Sequence, residues 1–147
     1  MTDADAAAQA LAERVRDGMW RNDRASRALG MEVRAIAPGR ATLCMAVRED
    51  MLNGLDVCHG GLIATLADSA FAFACNSFNE ATVASGFTVE LLAPARQGDL
   101  LTADCSEVSR AGRTGVYDVE VHNQSGTRVA LFRGRSHTFR GRPTVDG

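Results

Sequence analysis

From Leu62 to Cys75 nearly every position is apolar or small, and neither proline nor glycine interrupts the run, so it predicts a helix of about four turns. At about 100° per residue, Leu62, Ile63, Leu66 and Phe73 gather on one side with Ala70 and Ala74, while Ala64, Thr65, Asp68, Ala72 and Cys75 gather on the other. Neither side reads as a solvated face. The helix is therefore expected to be buried, with other elements wrapped around it. Small residues beside Asp68 leave room for a backbone or a ligand to come close.

Elsewhere the pattern changes period. Ala7, Leu11, Val15, Met19 and Trp20 recur at helical spacing, predicting an N-terminal helical segment over residues 1–29 that covers one edge and is weakened or broken at Gly18. Met31–Ile36 and Ala41–Val47 alternate around Pro38-Gly39, which reads as a hairpin. Met51–Cys58 is a loop leading into the central helix, with a tight turn at Asn53-Gly54. Ala81–Leu92, rich in Val, Thr and Phe, is a strand ended by Pro94. Leu100–Val108, Thr114–His122 and Arg128–Phe139 then form an antiparallel meander, and the polar stretch 141–147 is expected to be a disordered tail. One long apolar helix with about six antiparallel strands implies an α+β class.

The length of 147 residues fits one domain spanning 1–147 with a single core. A net charge of -2 gives no support for nucleic acid or a membrane surface as partner, and Asp68 interrupts the longest apolar run well short of a membrane span. All sixteen basic residues are Arg. That usage suits phosphate binding and equally follows from genome base composition. The acids Asp3, Asp5, Glu13 and Asp17 argue against a targeting peptide, and Cys44, Cys58, Cys75 and Cys105 lie far apart without C-x-x-C spacing. Free thiols in a reducing cytoplasm and no metal site are the expectation.

The chemistry concentrates on the central helix. Asp68 is its only charge, and a carboxylate there is either paired with an arginine or held for a reaction. At the other end, Gly60 and Gly61 stand where the first-turn N–H groups have no intrahelical partner, so an acyl oxygen can approach these donors without meeting a Cβ. His59 and Asp68 are nine residues apart, or roughly 13 Å along one helix, too far to grip one reacting group. Two copies of the helix would solve this. The chain has no G-x-S-x-G motif, so the common serine-hydrolase route lacks a visible nucleophile.

Several runs together carry a resemblance: Met51-Leu52-Asn53-Gly54, Cys58-His59-Gly60-Gly61, Leu66-Ala67-Asp68, Ala74-Cys75-Asn76-Ser77, Gly115-Val116-Tyr117-Asp118 and Ala130-Leu131-Phe132-Arg133-Gly134. His-Gly-Gly alone is weak. With Asp nine residues after the His and Asn six before it, the pattern resembles the acyl-CoA thioesterases of the hotdog fold, most closely their phenylacetate-degradation members. The resemblance runs from about Arg24 to about Phe139.

It implies a long central helix wrapped by a curved sheet, a homotetramer built as a dimer of dimers, and an active site shared between subunits, without a cofactor beyond the coenzyme A carried by the substrate. Asp68 of one chain would face the His59-Gly60-Gly61 entrance of its neighbour, acting as general base toward water or as nucleophile at the thioester carbon, with the Gly60 N–H polarising the carbonyl. Asn53 is either a turn residue or a group orienting a partner in the site. His59 either supports the loop or acts on the substrate directly. Ala64 and Ala72 would flank the acyl group. Ser85 or Thr88 would face the site, although alternation places them on opposite faces of their strand. Arg110, Arg113 and Arg133 are candidates for the coenzyme A phosphates, each also readable as a solvated surface residue.

An aryl-acetyl-CoA is the substrate that this resemblance suggests. A non-catalytic acyl-CoA sensor is a different class, yet the residues before the first strand are too few for a helix-turn-helix unit. A hotdog dehydratase would want a His paired with a distinct acid in another local setting.

Overall fold

The computed structural model describes residues 1–146. Two helices open the chain: α1 (Asp3–Asn22) and the short α2 (Arg24–Ala28). A hairpin follows, β1 (Glu32–Ala37) and β2 (Arg40–Ala46), and then a 3-10 turn at Glu49–Met51. Next come the central helix α3 (Gly60–Asn76) and four strands, β3 (Thr82–Leu91), β4 (Leu100–Ala111), β5 (Thr114–His122) and β6 (Arg128–Thr138). Every pairing is antiparallel, and the strands form one sheet in the order β1-β2-β4-β5-β6-β3. No helix among the described residues is long and apolar enough to cross a membrane.

The sheet closes over α3, which touches all six strands. Leu66, Ala70, Phe71, Phe73 and Ala74 of α3 are fully buried, packed with Leu43 and Met45 of β2, Leu101 of β4, and Tyr117, Val119 and Val121 of β5. Phe71 is the centre of an aromatic cluster, its ring 5.5 Å from Tyr117 and 5.9 Å from Phe132. Gly134 of β6 lies beneath it: a Cβ there would stand 2.7–2.8 Å from three Phe71 ring carbons. A packed ring cannot retreat, so Gly134→Ala is expected to cost about 1–3 kcal/mol by overpacking. Urea unfolding would show this as a lower midpoint at unchanged slope, and an unmoved midpoint would contradict the packing argument.

The structure departs from the sequence reading at several points. The N-terminal helix runs through Gly18 and breaks at Asp23 instead, because Asp23 leaves the helical region (φ -85°, ψ 86°) to cap α2. Gly18 serves close approach, since a Cβ there would meet Val145 at 2.5 Å. That contact belongs to the segment expected to be disordered. Over its described part the segment is tied down: Thr144 donates to Asn76 Oδ1 at 2.8 Å, and the Val145 N–H donates to Asn79 Oδ1 at 3.0 Å. Position 147 lies outside the described residues.

The central helix is also less enclosed than its composition implied. Gly61 is exposed and Ala64, Thr65, Asp68 and Ala72 are half-buried, so the Asp68 side forms an open stripe of small residues. Beside it β3 is an edge strand, with Phe87 46% and Leu91 54% exposed.

Candidate functional site

The loop before α3 is built by its own polar groups. Asn53 Oδ1 accepts the N–H of Leu55 at 2.9 Å and of Val57 at 3.3 Å, closing the turn expected at Asn53-Gly54. The loop is then pinned at both sides: the Cys58 N–H donates to the Ala95 carbonyl at 2.8 Å, and the His59 N–H to the Met51 carbonyl at 2.9 Å. His59 holds an extended backbone as the residue before the helix (φ -54°, ψ 129°), and its carbonyl accepts from Leu62 at 3.0 Å and Ile63 at 3.3 Å. The exposed imidazole makes no hydrogen bond among the described residues. Gly60 and Gly61 are thus the first two helical residues, with N–H groups that the fold leaves for a ligand or water.

A cleft of about 330 Å³ opens at this end of α3, lined by Asn53, Val57, Gly60, Ile63, Leu91 and Leu92 among others. Its wall is apolar apart from the Asn53 side chain and the backbone. A Cβ on Gly60 would meet the exposed tip of the Leu91 side chain, which would have to turn aside. Leu91, Leu92 and the 93–95 segment were not singled out from the sequence. Their only signal was apolar residues running up to the strand-ending Pro94.

Asp68 is eight residues further along α3, outside this cleft. It has neither ion pair nor hydrogen bond among the described residues, which removes the arginine-pairing reading within one protomer. Burial raises its pKa above the ordinary carboxylate value, and the Asp23 charge raises it further. Asp23 was likewise not singled out from the sequence. An Asp followed three positions later by Ser26 at the end of a helical pattern was the available signal.

The remaining candidates separate. Ala64 and Ala72 share the open stripe with Asp68. Ser85 sits at a β-bulge between Ala84 and Gly86, its hydroxyl donating to the Arg135 carbonyl at 3.2 Å. Thr88 pairs with Arg133 across β3 and β6, and both line a groove on the sheet face away from α3. There Arg133 holds Asp118 in a bidentate pair at 2.6 and 2.8 Å. Thr88 and Arg133 are therefore not brought to Gly60 or Asp68, because strand alternation turns them outward. Arg110 covers the Phe78 ring at 3.5 Å and pairs with Glu107 at 3.0 Å, near the far end of α3. Arg113 is exposed in the β4–β5 turn.

The thioesterase superfamily model matches residues 55–130, which span the helix entrance, Asp68 and most of the sheet. The chain belongs to the thioesterase superfamily. Among curated proteins it is 46% identical to the acyl-coenzyme A thioesterase PaaI of Escherichia coli K12, over 88% of this chain and 91% of that one. The structure of E. coli PaaI, from the phenylacetic acid degradation operon, superposes with a TM-score of 0.89 at 43% identity, covering 91% and 97% of the two chains. A variant of the phenylacetic acid degradation protein PaaI of Thermus thermophilus gives a TM-score of 0.77 at 38% identity over 80% and 100%. A Streptococcus mutans protein bound to acetyl CoA gives 0.73 at 26% identity over 76% and 90%. The fold is thus the hotdog fold, with the N-terminal helix, central helix and six-stranded antiparallel sheet of a PaaI-like thioesterase.

Proposed function

We propose that this protein hydrolyses aryl-acetyl-CoA thioesters, of the phenylacetyl-CoA type, to the free acid and coenzyme A, at a site assembled from two protomers. The observation that carries the reading is the separation within one chain of complementary halves: free N–H donors at Gly60 and Gly61 beside an apolar cleft, and an unpaired Asp68 on an open helical stripe. Laying the stripe of one protomer against the entrance of another brings donor and acid together. The exposed apolar edge of β3 runs beside both and would be covered in the same association.

In the assembled site the thioester carbonyl oxygen accepts from the Gly60 N–H, where the helix dipole favours the charge that develops in the tetrahedral transition state. Asp68 of the other protomer either takes a proton from the attacking water or attacks the carbonyl carbon itself. Thiolate leaves without strong acid assistance, so no third catalytic group is needed. Asn53 and His59 support the entrance loop and flank the thioester. We further propose a homotetramer, as a dimer of these site-sharing dimers, working in the cytoplasm, where its four cysteines remain thiols.

The names of the PaaI relatives and the largely apolar lining of the cleft support the acyl choice. Burying a phenyl ring against Val57, Ile63 and Leu91 is worth on the order of 2 kcal/mol, so kcat/KM for phenylacetyl-CoA is expected to exceed that for acetyl-CoA by roughly thirtyfold. A panel of acyl-CoA thioesters tests this. Much faster turnover of long-chain fatty acyl-CoA would overturn the aryl-acetyl assignment and leave the thioesterase reading intact.

A further inference from the structure

We propose that Asp23, at the junction of α1 and α2, is a positioning residue for Asp68: a hydrogen-bonded chain through Ser26 to Ser69, the neighbour of Asp68 on α3, fixes a second carboxylate relative to the helix that carries the site acid. This rests on the reading of Asp68 as the reacting carboxylate.

The chain of contacts runs from Asp23 to the central helix. Asp23 ends α1, its N–H donating to the Trp20 carbonyl, and then caps α2, Oδ1 accepting the Ser26 N–H at 3.0 Å and Oδ2 the Ser26 hydroxyl at 2.7 Å. Ser26 Oγ also lies 2.7 Å from Ser69 Oγ. An ionised carboxylate only accepts, so the single hydroxyl hydrogen of Ser26 is engaged by Asp23 and Ser69 must be the donor in the second contact. Ser26 is 1% exposed and Ser69 9%, so the bond between them is shielded from water, while the Asp23 end of the chain is half-buried. Ser69 is the residue next to Asp68 on α3. The N-terminal segment is thereby fastened to the central helix next to the acid in sequence, and Trp20 packs against Phe73 one turn further along, ring centroids 6.4 Å apart and planes tilted by 45°.

The result is a like-charge pair that capping alone does not require. Asn would serve as an N-cap equally well. Burial is the larger cause of the raised Asp68 pKa, and the Asp23 charge adds to it. The other titratable group that senses Asp68 is the Cys75 thiol on α3, pushed up to about 12 chiefly by its own burial. Cys105 on β4 and Tyr117 on β5 sense Cys75. The strands beneath α3 otherwise present apolar side chains such as Leu43, Leu101 and Val119. Among the described residues no basic group answers the two acids. A base whose pKa is raised toward the working pH removes a proton more readily, which gives the placement of Asp23 a consequence for the rate.

Asp23→Asn tests this, because it removes the charge and keeps the oxygen that accepts the Ser26 N–H, while the amide NH2 in place of Oδ2 donates to Ser26 Oγ and frees the Ser26 hydroxyl hydrogen for Ser69. The acid limb of the kcat/KM profile is expected to move to lower pH, with a lowered plateau kcat and little change in KM. In protein labelled with carbon-13 at the Asp carboxyls, the Asp68 resonance should titrate at lower pH, a readout that does not depend on turnover. A folded Asp23→Asn protein with an unmoved acid limb and an unmoved Asp68 titration would overturn the proposal and leave Asp23 as a helix cap. Failure of the underlying reading would look different: Asp68→Asn would then keep near-normal hydrolysis whatever Asp23 does. If the Asn variant is unstable, Ser69→Ala, which cuts the chain and leaves both carboxylates, should shift the same titration in the same direction, and no shift would count against the proposal.

Discussion

Asp68→Asn is expected to lower thioester hydrolysis by at least about a hundredfold, the range for loss of a group that moves a proton in the transition state. The amide is nearly isosteric with the acid, and the carboxylate has no protein partner among the described residues whose loss would disturb the fold. Stability should move in the opposite sense from activity. Because burial and the Asp23 charge raise the folded-state pKa of Asp68, its ionised form is disfavoured in the folded protein. The relative stabilisation from proton binding is therefore present below the unfolded-state pKa and is lost as pH rises through the raised one. At neutral pH the variant is accordingly expected to melt higher than the parent, and this advantage should shrink on acidification as Asp68 becomes protonated. Near-normal turnover by a folded variant would remove Asp68 from the mechanism. A melting point lowered at neutral pH would show that the carboxylate has a structural partner.

The central helix was legible in the sequence because composition and period agreed, and the hairpin and the meander were legible because Pro38-Gly39, Gly112 and the 123–126 turn punctuate them. Two things were not. The sequence could not say that the Asp68 side of α3 stays open, because small apolar residues suit a buried face and a face awaiting another subunit equally well. Nor could strand alternation alone sort Ser85 and Thr88: the bulge at Ser85 shifts the register, so the parity that sends Thr88 and Arg133 outward is set by Phe87 and Phe132 packing inward. The sequence left Arg110, Arg113 and Arg133 readable either as phosphate ligands or as solvated surface residues, and it could not name the partners of two of them. A guanidinium reads as a free cation in sequence, whereas Arg133 is held by Asp118 and Arg110 by Glu107 and Phe78, partners that only strand pairing and packing reveal.

Mixing two inactive variants is expected to restore activity, and this is the sharpest test of a shared site. In the Asp68→Asn protein every Gly60 donor is intact and every acid is lost. In a Gly60→Val protein the acid is intact, while the added side chain crowds the Leu91 side chain over the helix entrance and blocks approach to the helix N–H groups. A symmetric dimer uses the same surface twice, so a mixed dimer has one site with both defects and one with neither. Random reassortment of equal amounts should therefore recover about a quarter of the parental activity, rising from less than about one hundredth in either variant alone. The recovery must follow subunit exchange, so it should appear after the mixture is dissociated and reassembled and stay low when the two proteins are combined without exchange. If Asp68 instead worked with the Gly60 of its own chain, no mixed species would contain an intact site and reassembly would restore nothing. The roughly 13 Å along α3 between entrance and acid argues for the first outcome.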